Sequence, residues 1–246
     1  MRRFGLSDPA FLAGLASDPL AGLPAGAAAV YVGGPQYLWA DLARTVPVAP
    51  GGTVAVWDDG NGRHMTQSNA LLRPTWDGTN VVFGGSHWLS AAASWLSVAG
   101  PSTVGANLPA VTPGQYGVWG FGTTGAALSA CGPWVGLSGT NWSVQFAGGH
   151  PYNTATATGP CRLIVARPNA APVAATKVYT DGLLAATVSA SAGTPTGSVG
   201  PLHVGCWADY TAGILFTGSV GRMAAYDRLL TEAETAQLDV WLAAKL

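Results

Sequence analysis

The chain has 246 residues, 48 % of them apolar and only 9 % charged, with a net charge of −1. That length suits one large β domain or two small ones, with apolar content enough for a core. The 11 Lys and Arg are scattered and form no stripe to neutralise phosphates, which excludes a nucleic-acid partner, and no apolar run reaches the roughly 18 residues needed for membrane insertion. With 34 Gly and 17 Pro the expectation is short strands and many tight turns, and the 10 Trp argue for a core rather than disorder.

The N-terminal stretch MRRFGLSDPAFLAGLAS imitates a signal peptide, but Asp8 and Pro9 interrupt its apolar part, so no signal peptide is expected. Ser7 or Asp8 can cap a short helix with Pro9 in its first turn. GLPAGAAAVYVGG then reads as a loop entering an extended segment, and residues 1–35 are expected to form an arm that docks on a partner or on the main domain. Across 36–228, β-rich runs follow one another: VAVW (54–57), VVF (81–83), YGVWGF (116–121), WSVQFA (142–147), CRLIVAR (161–167), TKVYTDG (176–182), LHVGCWA (202–208) and GSVGRMAAYD (218–227), punctuated by Gly, Pro, Asn and Asp. No helix-length periodic segment separates them, which argues against βαβ units and for an all-β antiparallel sandwich. Residues 187–200 read as a loop. Thr231-Glu232-Ala233-Glu234 is a capping box, and Leu238, Trp241 and Leu242 share one face behind it, so a helix is expected over 232–244. Cys131, Cys161 and Cys206 are far apart and odd in number. They read as buried free thiols rather than a disulfide framework.

Four stretches in this order resemble one family, the concanavalin A-like lectin/glucanase jelly rolls in their laminin G-like form. They are LWADLARTVPVAPGGTVAVWDDGNGRHMTQ (38–67), RPTWDGTNVVFGGSHWLS (73–90), KVYTDG (177–182) and GSVGRMAAYDRLLTEAETAQL (218–238). The resemblance implies a jelly-roll β-sandwich over 36–246 with a C-terminal helix, an Asp-Gly hairpin tip at Asp181-Gly182, and a structural ion pair or carbonyl contact for Arg228. The first stretch is similar to the version common in bacteriophage and prophage proteins. It implies a virion-associated structural or adhesion module, a capsid decoration, head fibre or tail component. Its partners would be other virion proteins, further copies of itself in a homo-oligomer, and host-surface glycans. Alternatives that stay open are a free-standing carbohydrate-binding lectin-like protein and a glycoside hydrolase of the same fold.

A hydrolase needs two carboxyl groups flanking the scissile bond. The chain has two Glu, Glu232 and Glu234, both at the start of the expected helix, and the adjacent Asp58 and Asp59 would face opposite ways on an extended strand. The reading is therefore non-enzymatic, with no catalytic residues. Asp58, Asp59, Gly60, Asn61 and Gly62 are turn-forming residues; a Ca²⁺ site on Asp58, Asp59 and Asn61 is the competing reading, although a hard cation wants more oxygen ligands than these. Sugar rings present apolar faces to aromatic side chains. Two polar-aromatic groups are the carbohydrate-binding candidates: Trp134, Trp142, His150, Tyr152 and Asn153, and Trp207, Asp209 and Tyr210. Trp57, Trp76, Trp88 and Trp119 lie in strand-like runs and are expected in the core.

Overall fold

The computed structural model describes residues 20–60, 62–91, 100–121, 134–145, 152–156, 159–168, 175–188, 201–206 and 215–244. Among these residues the strands pair antiparallel into three sheets. A six-stranded sheet runs in the order Ala29–Val32, Arg222–Tyr226, Ser102–Leu108, Cys161–Arg167, Lys177–Thr180 and Leu183–Thr187. A nine-stranded sheet runs Tyr152–Thr156, Asn141–Gln145, Trp134–Gly139, Gly114–Phe121, Leu202–Val204, Leu89–Ala91, Met65–Thr66, Val56–Trp57 and Leu38–Trp39. A four-stranded sheet holds Thr75–Trp76, Val81–Gly84, Thr217–Val220 and Ala110–Val111. This is the antiparallel β-sandwich with a C-terminal helix that the sequence predicts.

The first four strands of the six-stranded sheet are buried on both faces, and strand alternation sorts their side chains. Ala29, Tyr31, Val104, Ala106, Leu163, Val165, Met223 and Ala225 join the main core with residues of the other two sheets, including Trp57, Trp119, Phe83 and Val220. Val30, Val32, Ile164, Ala224 and Tyr226 point the other way and meet Leu238, Trp241 and Leu242 of the helix Glu232–Ala243. Double burial explains why CRLIVAR and RMAAY read as nearly continuous apolar runs. At Gly105 the helix comes so close that a Cβ would lie 3.0 Å from a Leu238 methyl and 3.1 Å from one of Leu242.

The helix begins where its capping box predicts: the Glu234 amide donates to Thr231 Oγ1 (3.2 Å), and the Thr231 amide donates to Glu234 Oε2 (2.9 Å). Arg228 donates to Glu234 Oε1 at 2.7 Å and to the Ala25 carbonyl at 2.8 Å, the ion pair and carbonyl contact implied by the resemblance. Asp181 (φ 50°) and Gly182 (φ 77°) form the two-residue tip joining Lys177–Thr180 to Leu183–Thr187, with Thr180 opposite Leu183. Positive φ at both positions is the type I′ geometry that suits the twist of a hairpin.

Ala29–Val32, in the extended part of the stretch 1–35 expected to dock on a partner or on the main domain, is a strand of the six-stranded sheet, paired with Arg222–Tyr226 in the register Val32 opposite Arg222. The helix expected near Ser7 lies outside the described residues. Cys161 and Cys206 are buried free thiols, and burial pushes the Cys161 thiol up to about 12; Cys131 is outside the described residues.

Candidate functional site

The described residues between Val56–Trp57 and Met65–Thr66 are held by local hydrogen bonds. Asp58 Oδ1 accepts from the Gly60 amide (3.0 Å) and Oδ2 from Arg44 (2.9 Å). Asp59 is buried, and its Oδ1 accepts from the Arg63 amide at 2.8 Å. Arg63 in turn donates to the Ala28 carbonyl and its own carbonyl accepts from Tyr31, so the loop is tied to the neighbouring strand. Both carboxylates thus serve protein hydrogen bonds, and Asn61 is outside the described residues. No group of three His, Cys, Asp or Glu among the described residues is placed to hold a metal ion.

The first polar-aromatic group is brought together only in part. Trp134–Gly139, Asn141–Gln145 and Tyr152–Thr156 are consecutive strands at one edge of the nine-stranded sheet, with Trp134 opposite Gln145 and Tyr152 opposite Val144. The backbones of Trp134, Tyr152 and Asn153 are described, their side chains are not. Trp142 is a correction: it sits opposite Leu137, faces the sandwich interior and is 1 % exposed, so its ring is a core element rather than a platform for a sugar. His150 and the whole second group, Trp207, Asp209 and Tyr210, lie outside the described residues. Trp57, Trp76 and Trp119 are core as expected, and Trp88 is half-buried against His203.

A cavity of about 480 Å³ opens instead where the chain passes between two sheets. The run GSVGRMAAY is not one strand. Thr217–Val220 belongs to the four-stranded sheet and Arg222–Tyr226 to the six-stranded one, with Gly221 at the crossing and its amide donating to the Asn107 carbonyl (3.0 Å). Thr79, Asn80, Asn107, Pro109, Arg222 and the helix-end residues Ala243 and Ala244 complete the lining. The volume falls within the range of about 300–1,000 Å³ usual for small-molecule sites.

Each polar group there is held by its element. The Asp77–Asn80 turn joins Thr75–Trp76 to Val81–Gly84. Asp77 Oδ1 accepts from the amides of Thr79 (2.8 Å) and Asn80 (2.7 Å), which fixes Asn80 at the rim. Partial burial pushes the Asp77 carboxyl up, but these amide hydrogen bonds outweigh it and hold the group below its ordinary value. Asn107 projects from the strand Ser102–Leu108, which two neighbours pin in register. Arg222 is buried, with Nη1 donating to the Trp241 carbonyl (3.1 Å) and the guanidinium carbon 5.1 Å from the centroid of the Trp241 ring. Burial lowers its pKa from the ordinary guanidinium value, yet arginine stays protonated in proteins.

A second hollow of about 190 Å³ adjoins the first and shares Thr79 with it; Gly33, Gly34, Pro35, Trp76 and Gly78 form its other walls. Trp76 is 7 % exposed, and its Nε1 is buried without a hydrogen-bond partner. The two hollows, with Thr79 common to their walls, are taken together as the groove; its lining includes Trp76, glycine backbone and a few fixed polar groups. Among the described residues lining it there is no carboxylate.

Sequence reasoning missed this groove. Asp77-Gly78-Thr79-Asn80 is legible as a turn, but Asn107 and Arg222 join it only through the sheet register, which local patterns do not encode.

No family model matches the sequence, and no curated protein matches it. Solved structures do. A Trypanosoma rangeli sialidase in complex with 2,3-difluorosialic acid aligns over 89 % of this chain and 33 % of its own, with TM-score 0.60 and 13 % identity. The same organism's sialidase in complex with sialic acid aligns over 78 % and 32 %, with TM-score 0.55 and 12 % identity. NanB with optactamide aligns over 65 % and 27 %, with TM-score 0.50 and 11 % identity. The likeness is one of fold. The chain spans about a third of the length of these sialidases or less.

Proposed function

We propose that the protein is a non-enzymatic adhesion module that binds carbohydrate in the groove around Thr79. The observation that carries this reading is the pairing of the two hollows, one with the amides of Asn80 and Asn107, the other walled by Trp76. Fixed amides bond sugar hydroxyls, and a neighbouring aromatic wall suits the apolar face of a ring. Sandwiches of this fold occur in sialidases, which makes glycans the first ligand class to test. A non-enzymatic role is supported by the placement of both Glu residues: Glu232 pairs with Lys177 (3.2 Å) and Glu234 with Arg228 (2.7 Å), both at the helix start.

The setting we propose is the surface of a bacteriophage particle, on the strength of the stretch 38–67 and its resemblance to the version common in bacteriophage and prophage proteins. Low surface charge costs little to desolvate and favours contacts with other virion proteins or further copies of the chain. Repetition on a particle would turn weak glycan contacts into avidity.

A glycan array probed with wild-type protein, run beside an assay for sugar release and sedimentation with particles, tests this reading. Glycan signals without release of reducing sugar, and co-sedimentation, are the expected results. Sugar release would overturn the non-enzymatic assignment, and a protein without glycan signals that is absent from particles would overturn the adhesion assignment.

A further inference from the structure

We infer that Asn80 and Asn107 form a clamp for one hydroxyl group of an uncharged sugar, with Gly221 as the residue that keeps the clamp open. This rests on the glycan-binding reading and specifies its ligand.

A Cβ built on Gly221 would lie 2.9 Å from Asn80 Oδ1, 3.2 Å from Asn107 Nδ2 and 3.6 Å from Pro109 Cγ. An acceptor and a donor from distant parts of the chain therefore converge over a residue with no side chain, no more than about 6 Å apart. A hydroxyl oxygen making two hydrogen bonds of about 2.8 Å at its roughly tetrahedral angle links polar atoms about 4.6 Å apart, a separation inside that bound. The orientation of Asn80 is set from behind: its Nδ2 donates to Asp77 Oδ2 at 3.4 Å, which leaves Oδ1 toward Gly221. The Asn107 side-chain amide makes no hydrogen bond to the described residues, while its backbone oxygen accepts from Gly221.

A ligand group meeting both atoms must donate and accept at once. A hydroxyl does so with one O–H and two lone pairs, whereas a carboxylate or phosphate only accepts and an ammonium only donates. Pro109 supplies an apolar wall beside the pair for the C–H surface of the ring. The charge balance points to an uncharged ligand. Arg222 is the only charged residue among those described in the lining, and it donates to the Trp241 carbonyl in the last turn of the helix. Ala243 and Ala244 bring that same helix end into the wall, where the carbonyl groups carry partial negative charge. The cation and the helix end offset each other locally, so the cavity has no strong preference for an anion.

Binding is measured by calorimetry and saturation-transfer NMR on the full chain. The probes are maltotriose, cellotriose and chitotriose as neutral trisaccharides, and trigalacturonate and sialyllactose as acidic ones. The variants are Gly221→Ala, which puts a methyl between the amides, and Asn107→Leu, with Asn80→Ala as the milder third; near-UV circular dichroism checks that each is folded. A neutral trisaccharide should bind, change affinity less than about twofold when salt is raised, and lose at least about tenfold in folded Gly221→Ala and Asn107→Leu and at least about threefold in Asn80→Ala, because the hydroxyl is displaced or loses a partner. A neutral sugar that binds all three variants as well as wild type overturns the clamp and leaves the glycan reading standing. Binding confined to the acidic probes, and weakened by salt, overturns the uncharged-ligand inference alone. Absence of binding to every probe overturns the glycan reading on which the inference rests.

Discussion

Trp241 shows how one side chain connects packing with the groove. Its indole is 2 % exposed and fills the space between the helix and the six-stranded sheet, while its ring face carries the Arg222 guanidinium and its carbonyl accepts from Nη1. A buried cation without such partners would be costly, and the ring and carbonyl together lower that cost. Trp241→Ala should destabilise the fold by about 3–5 kcal/mol in urea denaturation followed by fluorescence, from lost burial and the cavity left behind. A loss below about 1 kcal/mol would mean the helix is not docked as described. Which tryptophans face solvent was not legible from residue type. Trp76 and Trp142 both sit in short runs of β-forming residues, and the sequence reading sent the first to the core and the second to a sugar site. Both are buried. Only register decides that Trp142 turns inward opposite Leu137 while Trp76 lines a surface hollow. Asp58 and Asp59 were legible as turn residues because their chemistry is local: each accepts an amide within a few positions of itself.

At the scale of elements, the C-terminal helix was read correctly from its capping box and its apolar face, both of which are local signals. Its start carries a pH dependence. The hydrogen bond from Arg228, followed by those from the Thr231 amide and hydroxyl, lowers the Glu234 carboxyl from 4.5 to about 2. A carboxyl with a depressed folded value stabilises the protein above its unfolded value and loses that contribution as pH falls through the folded one. The stability difference between wild type and Glu234→Gln should therefore be full at neutral pH, shrink below pH 4.5 and vanish near about 2, as read from denaturation midpoints across pH. A difference that does not change over that window would contradict the ion pair. The strand Ser102–Leu108 was missed for the opposite reason. Its sequence, STVGANL, has few β-branched or aromatic residues, yet it lies between Arg222–Tyr226 and Cys161–Arg167 and is almost wholly buried. Gly105 weakens its propensity because the helix needs close approach there. Ala29–Val32 was legible as an extended segment but its pairing was not, since its partner Arg222–Tyr226 lies at the other end of the chain.

For the whole molecule, the sandwich was legible because many short β runs, turn residues and no intervening helices admit few other architectures. The groove was not, because it forms at a crossing between sheets that unites the turn 77–80, Asn107, Gly221 and the end of the helix. On the proposed function, glycan contact is made at this crossing rather than at residues 134–153 or 207–210. The most direct measurement is a titration of isotope-labelled protein, by amide chemical shifts, with the strongest saccharide from the array. Shifts should concentrate at Thr79, Asn80, Asn107, Gly221 and Arg222 and saturate together at one affinity. Shifts that leave these five amides unmoved and cluster at 134–153 or 207–210 would contradict it.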